Sequence, residues 1–286
     1  MPTLTYQDIH QHYEVHGSGE PFLLHHGLTS SCKDWYRHLP WLTEEYQIVL
    51  IDARGHGMTT APAGDDRYSW EIMADDVNRL LEHLGIERAI IGGLSMGGGI
   101  SLAFALRYPQ KVRSLILCDT AGTGVGPAQA PVSREEMERL MAAREETVRQ
   151  YGVMEALGYR AIAAGLAPKP VLEDPVQREE WLERLSRFSV NGAIYAMRVA
   201  AMRNVVPGIE RTKELTMPTL VVIGEEDALL PAAEWLRDTL PNRRYAFLTR
   251  VGHATARYKP AAWRKAVEDF LNDLEQGRDI RGEVTL

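Results

Sequence analysis

Ser95 lies in the stretch Gly92-Gly93-Leu94-Ser95-Met96-Gly97-Gly98, a serine ringed by glycines. A serine hydroxyl is a weak nucleophile unless a base removes its proton and its oxygen projects into the open. A very tight turn from strand to helix achieves the projection. It strains the serine's backbone and drives the positions two before and two after it against neighbouring elements, so Gly93 and Gly97 fit where a side chain would collide. The helix that follows points its N-terminal dipole at negative charge developing on a substrate. The flanks agree: Ala89-Ile90-Ile91 precedes the glycines as a buried strand, and Ile100 to Leu106 follows as a helix.

The elements that must hold such a turn can be read from apolar patterning. Continuous runs at Phe22-Leu23-Leu24, Ile48 to Ile51, Ala89 to Ile91, Leu115 to Leu117 and Leu220 to Ile223 are those of strands buried on both faces. Tyr245 to Leu248 reads as the last strand. Between the runs lie amphipathic helices. Met73, Val77, Leu80, Leu81 and Leu84 share a face that stops at Gly85, and Trp263, Ala266, Val267, Phe270, Leu271 and Leu274 follow Pro260. Strand alternating with helix predicts an α/β fold with a mostly parallel central sheet.

The alternation breaks at Gly122 to Pro131, which reads as a linker, and the next strand-like run begins only at Pro218. The interval reads as helical. Ser133 and Glu136 have capping-box spacing, and Asp174-Pro175 offers a cap followed by proline at the first helical position. Trp181, Leu185 and Phe188 form one apolar face; Ile194, Met197 and Ala201 lie near another. Met137, Met141, Met154, Met197 and Met202 fall here as gap-filling side chains, with Met197 also a candidate for substrate contact. The expected division is a core of residues 1–125 and 214–277, a helical cap over 126–213 and a polar tail, 278–286, that frays.

Composition narrows the function. The chain has 286 residues, 45% hydrophobic, with a net charge of -7 and no long basic run, which argues against nucleic acid. No apolar stretch approaches the roughly 18 residues needed to span a bilayer, and the first residues lack a leader pattern, so a soluble, cytoplasmic protein is expected. Cys32 and Cys118 are expected to be buried free thiols. His10, His12 and His16 alternate along a strand without evident carboxylate or cysteine partners, so no metal is expected.

Taken with Ser95, Tyr13 to Pro21, His25-His26-Gly27-Leu28 and Asp52-Ala53-Arg54-Gly55-His56-Gly57 give the chain a close resemblance to the α/β-hydrolase family over nearly its whole length. The resemblance implies an α/β-hydrolase fold with an inserted cap, and triad partners in the order serine, acid, histidine. His253 is the one histidine downstream of Ser95. Asp227, three residues after Gly224, matches the family's acid, with Glu225, Glu226 and Asp119 as rivals. The backbone amides of Leu28 and Met96 would form the oxyanion hole. Asp52 and Arg54 read as turn pins. His26 stands where it could touch substrate, although packing is the readier role for it and for His25.

A serine argues against the aspartate-dependent dehalogenases and epoxide hydrolases. The segment Gly93 to Gly98 is most similar to carboxylesterases and 3-oxoadipate enol-lactonases, although Lys259-Pro260 stands where relatives often carry a glutamate shortly followed by proline. The expected activity is hydrolysis of a small to medium apolar ester or lactone, without a cofactor, through an acyl-enzyme on Ser95. The alternatives are a carbon-carbon bond hydrolase, weakened by Leu94 where such enzymes commonly carry asparagine, and a slow-turnover, receptor-like binding protein. Oligomeric state is left open.

Overall fold

The computed structural model describes residues 2–120, 122–124, 133–201 and 205–286. The linker reading at 125–131, the boundary between 125 and 126, and Met202 lie outside the described residues. Among those described, nine strands form one sheet. They are β1 (Thr3–Tyr6), β2 (Ile9–His16), β3 (Glu20–His25), β4 (Tyr46–Ile51), β5 (Ala89–Leu94), β6 (Val112–Cys118), β7 (Thr219–Gly224), β8 (Arg243–Leu248) and β9 (Gly282–Thr285). Their order is β1-β2-β4-β3-β5-β6-β7-β8-β9, antiparallel at β1-β2 and β2-β4 and parallel from β4 onward.

Every residue of β5 and β7 is buried, as continuous apolar runs require of central parallel strands. Alternate residues feed two core layers. Leu23, Val49, Ile91 and Leu117 face Val77, Leu81 and Phe104, whereas Phe22, Ile48, Ile90 and Ile116 face Trp35, Trp263 and Phe270. The first layer rests on helices α1 (Trp70–His83) and α2 (Met96–Arg107). Ser69 caps α1 by accepting from the Ile72 amide at 3.1 Å, and Gly85, at φ 67°, ends it as expected.

Between β6 and β7 the described chain is mostly helical, with short turns and an isolated bridge between Thr123 and Val205, and α3 (Arg134–Val153) and α4 (Pro175–Ser186) are its longest pieces. Both begin where the sequence signals: Ser133 accepts from the Glu136 amide at 3.1 Å, and Asp174 from that of Val176 at 2.8 Å. Met141, Val148, Leu157, Leu185, Phe188, Ile194 and Met197 bury themselves in a third, separate cluster. This insertion docks on the core through backbone contact: a Cβ on Gly192 would lie 2.2 Å from the Gly55 carbonyl oxygen. Ser189 Oγ donates to that same oxygen at 2.7 Å, and Phe188 stacks on His56 at 4.6 Å.

The expectation of a frayed tail is corrected. After α5 (Leu230–Thr239) and α6 (Pro260–Glu275), residues Gly282–Thr285 pair with β8 as the edge strand β9. Ile280 is buried beneath it, and the Leu286 amide donates to Phe247 O at 2.9 Å. An edge strand is held by backbone hydrogen bonds, and with Val284 as its one apolar side chain β9 leaves no apolar run to read. Both cysteines are buried and free. No helix among the described residues is long and apolar enough to cross a membrane.

Candidate active site

Ser95 occupies the junction of β5 and α2 at φ 56°, ψ -111°, a conformation that costs a non-glycine residue energy and persists only where its surroundings enforce it. The enforcement is steric. A Cβ on Gly93 would lie 2.3 Å from the carbonyl carbon and oxygen of Gly97, and one on Gly97 would lie 2.6 Å from the carbonyl oxygens of His25 and His26. The Ser95 amide is tied to Cys118 O at 2.8 Å. From Ala89 to Leu106, Ser95 alone escapes full burial.

Asp227 and His253 arrive from the carboxyl ends of β7 and β8. His253 Nδ1 donates to Asp227 Oδ2 at 2.9 Å, and the other carboxylate oxygen accepts from the Leu229 amide at 2.9 Å. The two loops press together: a Cβ on Gly224 would lie 2.4 Å from Val251 O. Burial works against a charged His253, but the hydrogen bond and charge of Asp227 outweigh it and raise the ring's pKa. Burial likewise opposes the Asp227 carboxylate, yet His253 and the Leu229 amide hold its pKa below the ordinary value. The imidazole keeps an open edge, with 45% of its side-chain surface exposed. Ser95 Oγ and His253 are not hydrogen-bonded to each other.

The rival acids are engaged elsewhere. Glu225 accepts from the Arg250 amide at 2.7 Å, Glu226 is exposed, and Asp119 Oδ2 accepts from both the amide and the hydroxyl of Thr255. Of the four carboxylates, Asp227 alone hydrogen-bonds the His253 ring.

Leu28 sits half-buried between the sheet core and the insertion, and among the described residues its amide donates to no backbone carbonyl. Met96 begins α2, where amides lack an intrahelical acceptor. Neither N–H group has an acceptor among the described residues. The loop bearing Leu28 is braced by Asp34, which accepts from the Gly27 amide at 3.2 Å and from Ser30 Oγ at 2.5 Å and pairs with Arg257. Burial opposes the Asp34 charge, but Arg257 holds its pKa low. Sequence reading missed Asp34, Arg257 and Thr255.

His26 is fully buried with both ring nitrogens occupied: Nε2 accepts from the Ala53 amide at 3.0 Å, so Nδ1 donates to Gly27 O at 2.7 Å. It offers no free polar atom to a substrate. Met197 packs in the insertion's own cluster, its Sδ 3.1 Å from Arg144 Nη1. Asp52 accepts from the Cys32 and Met58 amides, and Arg54 forks onto Asp76 at 2.6 and 2.8 Å, both as turn pins.

One expectation about the N-terminal histidines is corrected. His12 does have carboxylate and cysteine neighbours, since His12, Glu14 and Cys32 bring donor atoms within 4.8 Å of one another. The fold carries Cys32 there from a distant turn, which sequence spacing could not show. Glu14 is already satisfied by Tyr36 at 2.6 Å and His16 at 2.7 Å. Burial, reinforced by Asp52, pushes the Cys32 thiol well above its ordinary pKa. The cluster is coherent as a hydrogen-bonded network.

Comparison with known proteins agrees with this architecture. A family model described as alpha/beta hydrolase fold matches residues 20–255. The chain is 26% identical over 273 residues to 3-oxoadipate enol-lactonase 2 of Acinetobacter baylyi, covering 94% of this chain and 96% of that protein. It is 26% identical over 280 residues to 2-hydroxymuconate semialdehyde hydrolase of a Pseudomonas species, covering 91% and 89%. Among solved structures, the enol-lactonase from Burkholderia xenovorans LB400 superposes with a TM-score of 0.79 at 24% identity, covering 95% of this chain and all of that one.

Proposed function

The chain belongs to the alpha/beta hydrolase fold family, and on that footing we propose that it is a serine hydrolase of small to medium, largely apolar carboxylic esters or lactones. The observation that carries this reading is the Asp227–His253 hydrogen bond, delivered by β7 and β8 at the sheet end where β5 presents the strained Ser95. Asp227 holds the imidazole with its Nδ1 protonated, leaving Nε2 to accept the Ser95 proton. Such hydrogen bonds are often long in unliganded enzymes and tighten around substrate.

Ser95 Oγ then attacks the carbonyl carbon, and the amides of Leu28 and Met96 receive the oxyanion. One donor of this kind is commonly worth about 3 kcal/mol in the transition state. His253 returns the proton to the leaving alcohol, and water, activated by the same imidazole, releases the acid. The helical insertion acts as a lid that shapes the acyl and alcohol pockets. Enol-lactonase relatives support ester and lactone chemistry, and the semialdehyde hydrolase supports carbon-carbon cleavage as a second reading.

Short-chain p-nitrophenyl esters, a lactone series and a vinylogous diketone, each assayed with wild type and Ser95→Ala, test the proposal. Ester or lactone turnover that disappears in Ser95→Ala is expected. Turnover of the diketone alone would replace the reading with the second one.

A further inference from the structure

Asp119 directly follows β6, the strand between the one that delivers Ser95 and the one that delivers Asp227. It is wholly buried, lies at φ 47°, and is fixed by its amide, which donates to Val222 O at 2.9 Å. Oδ2 accepts two hydrogen bonds from Thr255, from N–H and from Oγ1, each 2.8 Å. Oδ1 is equally buried and has no hydrogen-bond partner. An ionised carboxylate in that position would carry an unpaired charge out of water, a large cost that a proton on Oδ1 removes.

The groups facing it decide where that proton resides. They are Asp227 and His253 from the loops after β7 and β8, and Cys118 on its own strand. Burial first and the Asp227 charge second push Asp119 up to about 7, against the pull of His253 and Thr255. Two neighbouring carboxyl groups in a dry site do not both ionise. Asp227 remains the ionised one: burial opposes its charge, but His253 and the Leu229 amide favour it.

The second clue is the backbone between His253 and Thr255. Ala254 stands at φ 68°, ψ 53°, a left-handed conformation that alanine adopts at a cost and that needs holding from outside. The two Thr255 bonds to Asp119 hold it from one side.

We propose that Asp119 is a positioning residue for the Ser95, His253 and Asp227 site: through Thr255 it fixes the turn that carries His253, and with its own proton it backs the Asp227 carboxylate without adding a second charge. This rests on the triad reading above. Asp119→Asn retains a carbonyl for Thr255 and an N–H for Asp227 but cannot ionise. Asp119→Ala removes both Thr255 bonds and the carboxyl that faces Asp227, and Thr255→Val removes the hydroxyl bond alone.

The experiment follows the rate at which a fluorophosphonate labels Ser95, across pH, together with the melting temperature. Asp119→Asn labels within about fivefold of wild type near pH 6, the scale of one neutral hydrogen bond. Its acid limb stays close to that of wild type, because a protonated Asp119 puts no charge beside His253 while the imidazole titrates. Asp119→Ala slows labelling about tenfold or more at every pH, with Thr255→Val in between. A carboxyl raised in the folded state contributes stability at low pH that is lost as pH climbs toward about 7. The melting temperature of Asp119→Asn therefore gains on wild type over that climb. Equal impairment of Asn and Ala variants, or an acid limb displaced to lower pH in Asp119→Asn with a constant melting difference, overturns the proposal while leaving a labelled wild-type Ser95 intact. An unlabelled wild type overturns the triad reading and this assignment together.

Discussion

Around Ser95 the chain is positioned by backbones in contact: Gly93 against Gly97, Gly97 against the carbonyls of His25 and His26, and the Ser95 amide on Cys118. Around His253 it is positioned by carboxylates: Asp227 on the ring, Asp119 on Thr255 two residues later, and Asp34 on Arg257 two beyond that. The first arrangement depends on volume and is indifferent to pH. The second depends on hydrogen bonds and charge and therefore answers to pH. One face of the site is thus set by packing and the other by titratable groups, which also tie the oxyanion loop to the histidine loop.

The difference can be broken from either side. Gly97→Ala has the largest effect: its Cβ would lie 2.6 Å from two carbonyl oxygens, so the turn must shift. It should lose about 3 kcal/mol or more of stability in denaturant melts, together with Ser95 labelling, whatever the pH. Retained stability and labelling would show that the turn is looser than its contacts indicate.

Acid acts on the other face and more gently. Asp34 and Asp227 are both held below their ordinary pKa, so the stability they contribute is present above the unfolded carboxylate pKa and is lost as pH falls through their folded values. Hydrogen exchange near pH 3 should loosen residues 251–258 before residues 93–99. Simultaneous loosening would mean that the two faces share one support.

The same contrast explains what could be read in the sequence. Glycines around a serine are a local signature, and so are the caps at Ser133 and Asp174, because each interaction spans two to four residues. Asp227 and His253 were legible only through their order along a recognised fold. The carboxylate braces were not: Asp119 meets Thr255 across 136 residues, and Asp34 meets Arg257 across 223. Neither pair leaves a periodic or spacing signal. Strand β9 escaped notice for another reason, since edge pairing is made by backbone groups that every residue possesses. His26, beside the oxyanion loop, can be read from sequence either as packing or as substrate contact, and the fold turns its nitrogens onto Ala53 and Gly27.

The most direct test of the central claim is the site of covalent modification by a fluorophosphonate, read by mass spectrometry of peptides from the intact protein. The account predicts one adduct, on Ser95, formed at a rate that collapses in His253→Ala. An adduct on another residue, or labelling of Ser95 that persists undiminished without the imidazole, would contradict it.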